Sequence, residues 1–370
     1  MKIMTAIDSM KGSMTSIESN QIIKDVFENN QTSVANFAIA DGGEGTVEAF
    51  AQNLHGEIVS VDCHDLKGDK ISASYSWIPD QKLAVIESSA TSGIQFLDNT
   101  EQTHPRMTNS YGLGEQILTA VNHGADKIII GLGGTGTVDA GLGMMSALGV
   151  KFYDDNYSEL DPIPKNLCSI SNVDSSGIDN NLKNVEFILA ADVKSPITGP
   201  TGAVYMFGKQ KGITDLELSE YEKDMEKFSK LLLNTEESQP GDGAAGGLGM
   251  ALRVMLNADI EPGLNLLAKY THLEEKIAQS DLIITGEGKM DNQSLQGKVP
   301  VSIAAYAKKH GVPVIAFVGS FQGDREQFRQ TGINAIVPIV KDISTLEEAI
   351  KNAKSNLRNA AQMTFDLLNI

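Results

Sequence analysis

Apolar runs of strand length alternate with segments of helical period through much of the chain, a pattern that predicts an α/β protein. The first run is IMTAI (residues 3–7). Behind it, Thr15-Ser16-Ile17-Glu18 has capping-box spacing, and Ile17, Ile22, Ile23, Val26 and Phe27 suit one buried helical face. VANFAIA (34–40) predicts a second strand. After a glycine turn, Val47, Phe50, Ala51 and Leu54 return to helical spacing. The end of the chain has the same rhythm: DLIITG (281–286), VPVIAFVG (312–319) and AIVPIV (335–340) read as strands. Helices are expected near 300–310 and 344–369, the last opened by Ser344-Thr345-Leu346-Glu347.

Two strand–helix units at the front and three strands at the back suit one five-stranded doubly wound sheet. The layout expected is therefore discontinuous, with 1–57 plus 279–370 as one domain and 58–278 as an inserted second α/β domain. The insert has its own strands near 57–61, 71–77, 83–88, 127–131 and 186–191. Two consecutive domains are the competing layout. No internal repeat is present, and NTEESQPGDG (234–243) is the candidate for an exposed connection.

The 370 residues exceed what a single core usually organises, which supports two domains. The net charge of −18 argues against nucleic acid and anionic membranes as partners, so an anionic substrate must meet local cations or backbone N–H groups. Cys63 and Cys168 form neither a disulfide framework nor a metal spacing. No apolar run approaches the roughly 20 residues of a spanning helix. No basic-then-apolar leader opens the chain, so a soluble cytoplasmic protein is expected.

The 35 glycines change the picture because they gather at the ends of predicted strands. DSMKGS (8–13), ADGGEGT (40–46), GLGGTGTVDAG (131–141), ADVKSPITGPTGA (191–203) and TGEGKMDNQSLQGK (285–298) each follow an apolar run, and PGDGAAGGLG (240–249) precedes a helix. Ligands of open α/β sheets bind beyond the carboxyl ends of strands, where glycine lets backbone N–H groups approach phosphate. Several of these loops also carry an Asp or a Lys. Donors for phosphate, cations for developing charge and carboxylates for Mg²⁺ are the inventory of phosphoryl transfer.

These segments, taken in order along nearly the whole chain, resemble the class I glycerate kinase family of bacteria. The family's D-S-F-K-G-S is DSMKGS here, and A-D-G-G-E-G-T is unchanged. Its T-S-Y-G-x-G-E-like element is TNSYGLGE (108–115), and FGKQKG (207–212) follows the ADVKSPITGPTGA element. P-G-x-G-A-A-G-G-L-G and G-E-G-x-x-D-x-Q-[ST]-x-x-G-K are intact at 240–249 and 286–298. The departures are Val138 and Ala140 in the 131–141 loop, Ser195 for a usual asparagine and Ala191 for a common cysteine. The resemblance implies an ATP- and Mg²⁺-dependent kinase acting on a hydroxyl of D-glycerate, usually yielding 2-phosphoglycerate, with 3-phosphoglycerate as the alternative product. It also implies a flavodoxin-like domain with a second α/β domain inserted and the site in the cleft between them.

Site roles follow from residue type and place, each against a plainer alternative. Lys11, in a glycine–serine turn after the first strand, is assigned to catalysis, binding substrate or phosphate, with Ser13 beside it on the substrate. Arg106, in HPRMTNSYG, is a second cation for the glycerate carboxylate or a surface residue. Asp41 is a substrate contact or a turn aspartate. Asp192 and Asp291 are the acidic residues expected to carry chemistry: one orients the hydroxyl and accepts its proton, the other helps hold Mg²⁺, and the sequence leaves the assignment open. Asp192 is expected to be buried at the end of FILAA, and Asp291 to lie in a loop between Lys289 and Lys298. Lys298 is a phosphate or substrate clamp, with Lys209 and Lys211 weaker candidates. Gly133, Gly134, Thr135, Gly136 and Thr137 are expected to present N–H and hydroxyl donors to the ATP phosphates; glycine for tight packing is the alternative.

Two rival functions draw on parts of the same sequence. Gly131, Gly133 and Gly136 satisfy G-x-G-x-x-G, with Asp154 or Asp155 about 20 residues on, as an NAD-dependent oxidoreductase requires. That motif usually opens a domain, whereas here it falls mid-chain without a catalytic His, Lys or Tyr arrangement. A non-catalytic binding protein is disfavoured by the retained Asp and Lys residues, and no Walker A sequence occurs.

Overall fold

A computed structural model of the chain describes residues 1–98 and 100–368. It divides into two compact units, one of residues 1–41, 48–55 and the chain from Leu264 onward, the other of residues 42–47 and 56–263. The chain returns to the first unit at Leu264, where the sequence pattern drew the boundary at 279. In chain order, β1 (Lys2–Ile7) and β2 (Ser33–Asn36) belong to the first unit. The second unit holds β3 (Glu57–His64), β4 (Lys70–Ile78), β5 (Leu83–Glu87), β6 (Lys127–Gly131), β7 (Lys151–Tyr153), β8 (Asn172–Asp174), β9 (Glu186–Ala190) and β10 (Asp259–Glu261). The first unit then resumes with β11 (Leu282–Asp291), β12 (Val314–Gln322) and β13 (Ala335–Pro338).

The first unit's sheet has the order β13-β12-β11-β1-β2, parallel throughout, the five-stranded doubly wound arrangement that the apolar runs predict. Its strands are apolar on both faces because helices cover both, and Ile3, Ile7, Ile23, Phe27, Ile284, Phe317 and Leu357 fill its core. Chain direction across the sheet reverses between β1 and β11, which makes their carboxyl ends the expected place for a ligand.

Local chemistry explains how the elements end. Helix Ser16–Phe27 opens with the predicted capping box of Thr15 and Glu18. The predicted strand 34–40 stops early, at Asn36. Its continuation is held by the helix instead: Asn20 accepts from the Ile7 N–H and donates to the Phe37 carbonyl, while Ser16 Oγ donates to the Ile7 carbonyl and accepts from the Ile39 N–H. These side chains satisfy buried backbone groups that a ladder would otherwise pair. The predicted C-terminal helix is two helices, Leu346–Lys351 and Ala353–Leu368, and its capping box is Thr345 with Glu348, one residue later than Ser344 with Glu347.

The second unit has a six-stranded sheet, β10-β9-β6-β5-β4-β3, parallel from β10 to β5 and antiparallel at β4 and β3, with β7 and β8 as a separate hairpin. Its core includes Tyr75, Ile86, Ile130, Leu189 and Phe228. All the strands expected in this region are present. The predicted connection at 234–243 is exposed only as far as Pro240. Asp242 is fully buried and holds Arg253 through Nε at 2.9 Å and Nη2 at 3.1 Å, a bidentate pair that pins this glycine-rich loop. Among the described residues no helix is long and apolar enough to cross a membrane.

Candidate active site

In the first unit, β1 and β11 run in register from Ile3 opposite Leu282 to Ile7 opposite Gly286. The next residue of each strand is acidic. Asp8 leaves β1 with its N–H bonded to the Gly286 carbonyl at 2.9 Å, and Glu287 continues β11. Two carboxylates are therefore set side by side at the point where the sheet order reverses. Asp41, exposed after the second strand, adds its charge to the same locality.

The Asp8 carboxyl is pushed up to about 7, first by burial and then by the charge of Asp41; the Ser9 N–H hydrogen bond opposes this, Glu287 adds to it, and Lys11 offsets it in part. Glu287 is buried, and burial raises its carboxyl too, against the Ser294 hydroxyl and Lys298, which pull it down. Its Oε2 accepts from Lys298 Nζ at 3.2 Å, while Oε1 has no partner. An unpaired buried carboxylate oxygen is costly, and such groups concentrate where a ligand completes them.

Lys11 is exposed on the turn bridged by Met10 and Met14, and Ser13 Oγ donates to the Met10 carbonyl at 2.8 Å. Lys298 stands at the N-cap of helix Val299–Lys309. Asp291 is not in a loop: it is the last residue of β11, opposite Gln322 of β12. Its carboxyl is held below the usual range by Lys289, 3.0 Å away, and by the Gln293 N–H. Of the expected site residues, Lys11, Ser13, Asp41, Lys298 and Asp291 thus lie in loops or strand ends of this unit.

In the second unit the loop after β6 is built differently. A Cβ on Gly131 would stand 2.7 Å from the Gly42 carbonyl oxygen, and one on Gly133 would stand 2.6 Å from the Gly43 Cα. Close backbone approach, the packing alternative, accounts for these glycines. The N–H of Gly133 donates to the Gly42 carbonyl at 3.0 Å and that of Gly136 to the Ser92 carbonyl at 2.7 Å, so neither is available to a phosphate. Of the five expected phosphate contacts, Gly134 alone is exposed, while Thr135, Gly136 and Thr137 are buried. Gly134 needs its φ of +75°, where a side chain would strain the turn.

Asp139 explains why this loop is closed to a dinucleotide. Its fully buried carboxylate accepts from the Ser110 N–H and hydroxyl and from the N–H groups of Gly141 and Gly143. The amides that open helix Leu142–Ala147 therefore already hold an anion belonging to the chain itself. A pyrophosphate would have to displace it, which removes the structural basis of the oxidoreductase reading.

Behind the loop, Lys211 is buried, with Nζ donating to Thr135 Oγ1 at 3.2 Å and to the Thr137 carbonyl at 2.9 Å. Burial pushes its ammonium down to about 8, against the charge of Asp139. The Thr137 hydroxyl has no partner.

Two expectations need correction here. Arg106 is not an open cation: its guanidinium pairs with Asp224 and lies 4.2 Å over the Tyr221 ring, on a side chain only 16% exposed. Asp192 is not buried but exposed, its Oδ1 accepting from the Gly263 N–H at 3.2 Å. Asp8 and Glu287 were passed over by the sequence reading, although both lie inside quoted motifs. The rule applied to Asp41, an acid directly after a strand, would have found Asp8.

Among the described residues no three His, Cys, Asp or Glu side chains are grouped to hold a metal ion.

The comparisons point one way. The profile of the glycerate kinase family matches residues 3–369. The glycerate 2-kinase of Escherichia coli (strain K12) is 38% identical over 98% of this chain and 96% of its own length. The glycerate kinase of Bacillus subtilis (strain 168) is 36% identical over the same shares of the two chains. A crystal structure from Salmonella typhimurium LT2, provisionally named glycerate kinase 2, superposes with a TM-score of 0.85 at 34% identity, covering 100% of this chain and 98% of the other.

Proposed function

The chain belongs to the glycerate kinase family and is a kinase, and we propose that it transfers the γ-phosphoryl group of ATP to D-glycerate, giving 2-phosphoglycerate. What carries the reading is similarity along the whole length to a protein named as a glycerate 2-kinase. Glycerate is a small anion with two hydroxyls, so the protein's tasks are to hold its carboxylate, aim one hydroxyl and receive phosphate charge.

On this reading Lys11 and Ser13 meet the substrate, with Asp41 orienting a hydroxyl and Lys298 clamping a phosphate or the glycerate carboxylate. Lys11 supports this assignment by its exposure on a short turn at the carboxyl end of β1. Of the 133–137 segment assigned to the nucleotide phosphates, only exposed Gly134 keeps that role, because the Gly133 and Gly136 N–H groups are bonded and Thr135 and Thr137 are buried. Asp192 or Asp291 would help hold Mg²⁺, and Asp291, ionised beside Lys289, suits a cation ligand. Mg²⁺ supplies neutralisation of charge on the β- and γ-phosphate oxygens. The reading describes a small-molecule enzyme of the cytoplasm.

The test is ADP release by the folded protein with ATP, Mg²⁺ and D-glycerate, followed by phosphorus NMR of the product. The expected result is turnover and a phosphomonoester on C2. A C3 ester would overturn the product assignment, and no turnover would overturn the substrate.

A further inference from the structure

At the strand ends of the first unit, Asp8 differs from Glu287 and Asp291 in how little holds its charge. Its Oδ1 accepts the N–H of its own neighbour, Ser9, at 2.7 Å, and among the described residues no ion pair neutralises it. Asp291, by contrast, is paired to Lys289, and Glu287 to Lys298. Asp8 also stands at the end of β1, beside the strand-order reversal, with the buried, half-satisfied Glu287 in the adjacent register position. A group there needs either a proton or a ligand to become comfortable.

We propose that Asp8 is the general base of the reaction, taking the proton from the glycerate hydroxyl as that oxygen attacks the γ-phosphorus. The proposal rests on the kinase reading above and replaces the earlier choice of Asp192 or Asp291 for this role. In the step, the hydroxyl O–H bond breaks and its proton passes to the Asp8 carboxylate. The oxygen forms a new bond to the γ-phosphorus, and the bond from that phosphorus to the β,γ-bridging oxygen breaks. ADP leaves with the electron pair, and Asp8 later releases the proton to solvent.

The surroundings suit the task. A base works best when its pKa lies near the working pH, and the Asp8 carboxyl lies near 7, whereas the Asp291 carboxyl is held low and is a weak proton acceptor. The groups facing Asp8 are Asp41 from the segment after β2, Glu287 from β11, Lys11 from its own turn and the Ser9 N–H. Asp41 and Glu287 raise its basicity and Lys11 moderates it, so Asp41 is a positioning and tuning residue in addition to any contact with substrate.

The experiment is the pH profile of kcat/KM for D-glycerate in wild type, Asp8→Asn and Asp41→Asn. Wild type should lose activity as pH falls through about 7, because the base must be ionised. Asp8→Asn should lower kcat by roughly 100-fold, with KM for ATP within a few fold, and should lack that acidic limb. Asp41→Asn keeps the base but removes a repelling charge, so its limb should move to lower pH. The nucleotide's own titration does not move with Asp41, which separates the two causes. An Asp8→Asn enzyme with wild-type kcat and an intact limb would overturn the proposal, as would an Asp41→Asn limb that stays in place. Should Asp8→Asn not fold, the Asp41→Asn shift decides. Wild type inactive on D-glycerate would refute the function reading itself, a distinguishable failure.

Discussion

Asp8 and Asp139 are both aspartates in glycine-rich loops that follow strands, and they are used in opposite ways. Asp139, in the second unit, is enclosed by four donors and balanced by the charge of Lys211. Asp8, in the first unit, has one local hydrogen bond and two carboxylates nearby. The first arrangement stabilises a fold and leaves nothing for a ligand. The second leaves a charge badly satisfied, which is what a reacting group requires and what a purely structural site avoids. Residue type and loop glycine content do not separate the two; the inventory of donors does.

The largest effect expected from breaking this contrast is on Asp139. Asp139→Ala strips four donors of their acceptor and leaves Lys211 buried without its countercharge, which should cost about 4 kcal/mol in urea unfolding. A loss under about 1 kcal/mol would show that the carboxylate is not structural.

Lys211 sharpens the same point through pH. Its ammonium is lowered from 10.5 to about 8 in the folded chain, so the unfolded chain binds more protons between those values. This group's contribution to stability therefore rises as pH climbs from about 8 to about 10.5, by on the order of 3 kcal/mol. The difference in unfolding free energy between wild type and Lys211→Met isolates it from other alkaline titrations. A difference that is flat across this window would contradict the burial of a charged lysine.

The third effect is smaller and tests the correction to Arg106. Arg106→Met leaves Asp224 unpaired and removes a cation from the Tyr221 ring, which should cost about 2 kcal/mol of stability. KM for D-glycerate should stay within about two-fold. A ten-fold rise in KM would restore Arg106 as a substrate contact.

The sequence was most legible where periodicity and capping chemistry are local. The doubly wound sheet, the insert's strands and the Thr15–Glu18 box follow from runs of neighbouring residues. Legibility fell where partners are distant. Arg106 reads as a free cation until Asp224, 118 residues on, is placed against it. The 131–141 loop reads as a phosphate cradle because glycine marks close approach without saying to what; the object approached is the backbone of Gly42 and Gly43. Asp8 is visible as an acid after a strand, but its basicity depends first on its burial, then on Asp41 and on Glu287 from a strand near the other end of the chain. The early end of β2 was hidden for a similar reason, since Ser16 and Asn20 of the preceding helix take over its hydrogen bonds.

The contrast is between the unbalanced, largely buried charge at Asp8, which is functional, and the satisfied carboxylate of Asp139, which is structural. Its most direct test is Asp8→Asn with unfolding free energy and turnover measured together at pH 8. A carboxyl raised to about 7 is destabilising to the fold once ionised, so the variant should be at least as stable as wild type there while its kcat falls roughly 100-fold. A variant that loses stability yet turns over D-glycerate at the wild-type rate would contradict the claim.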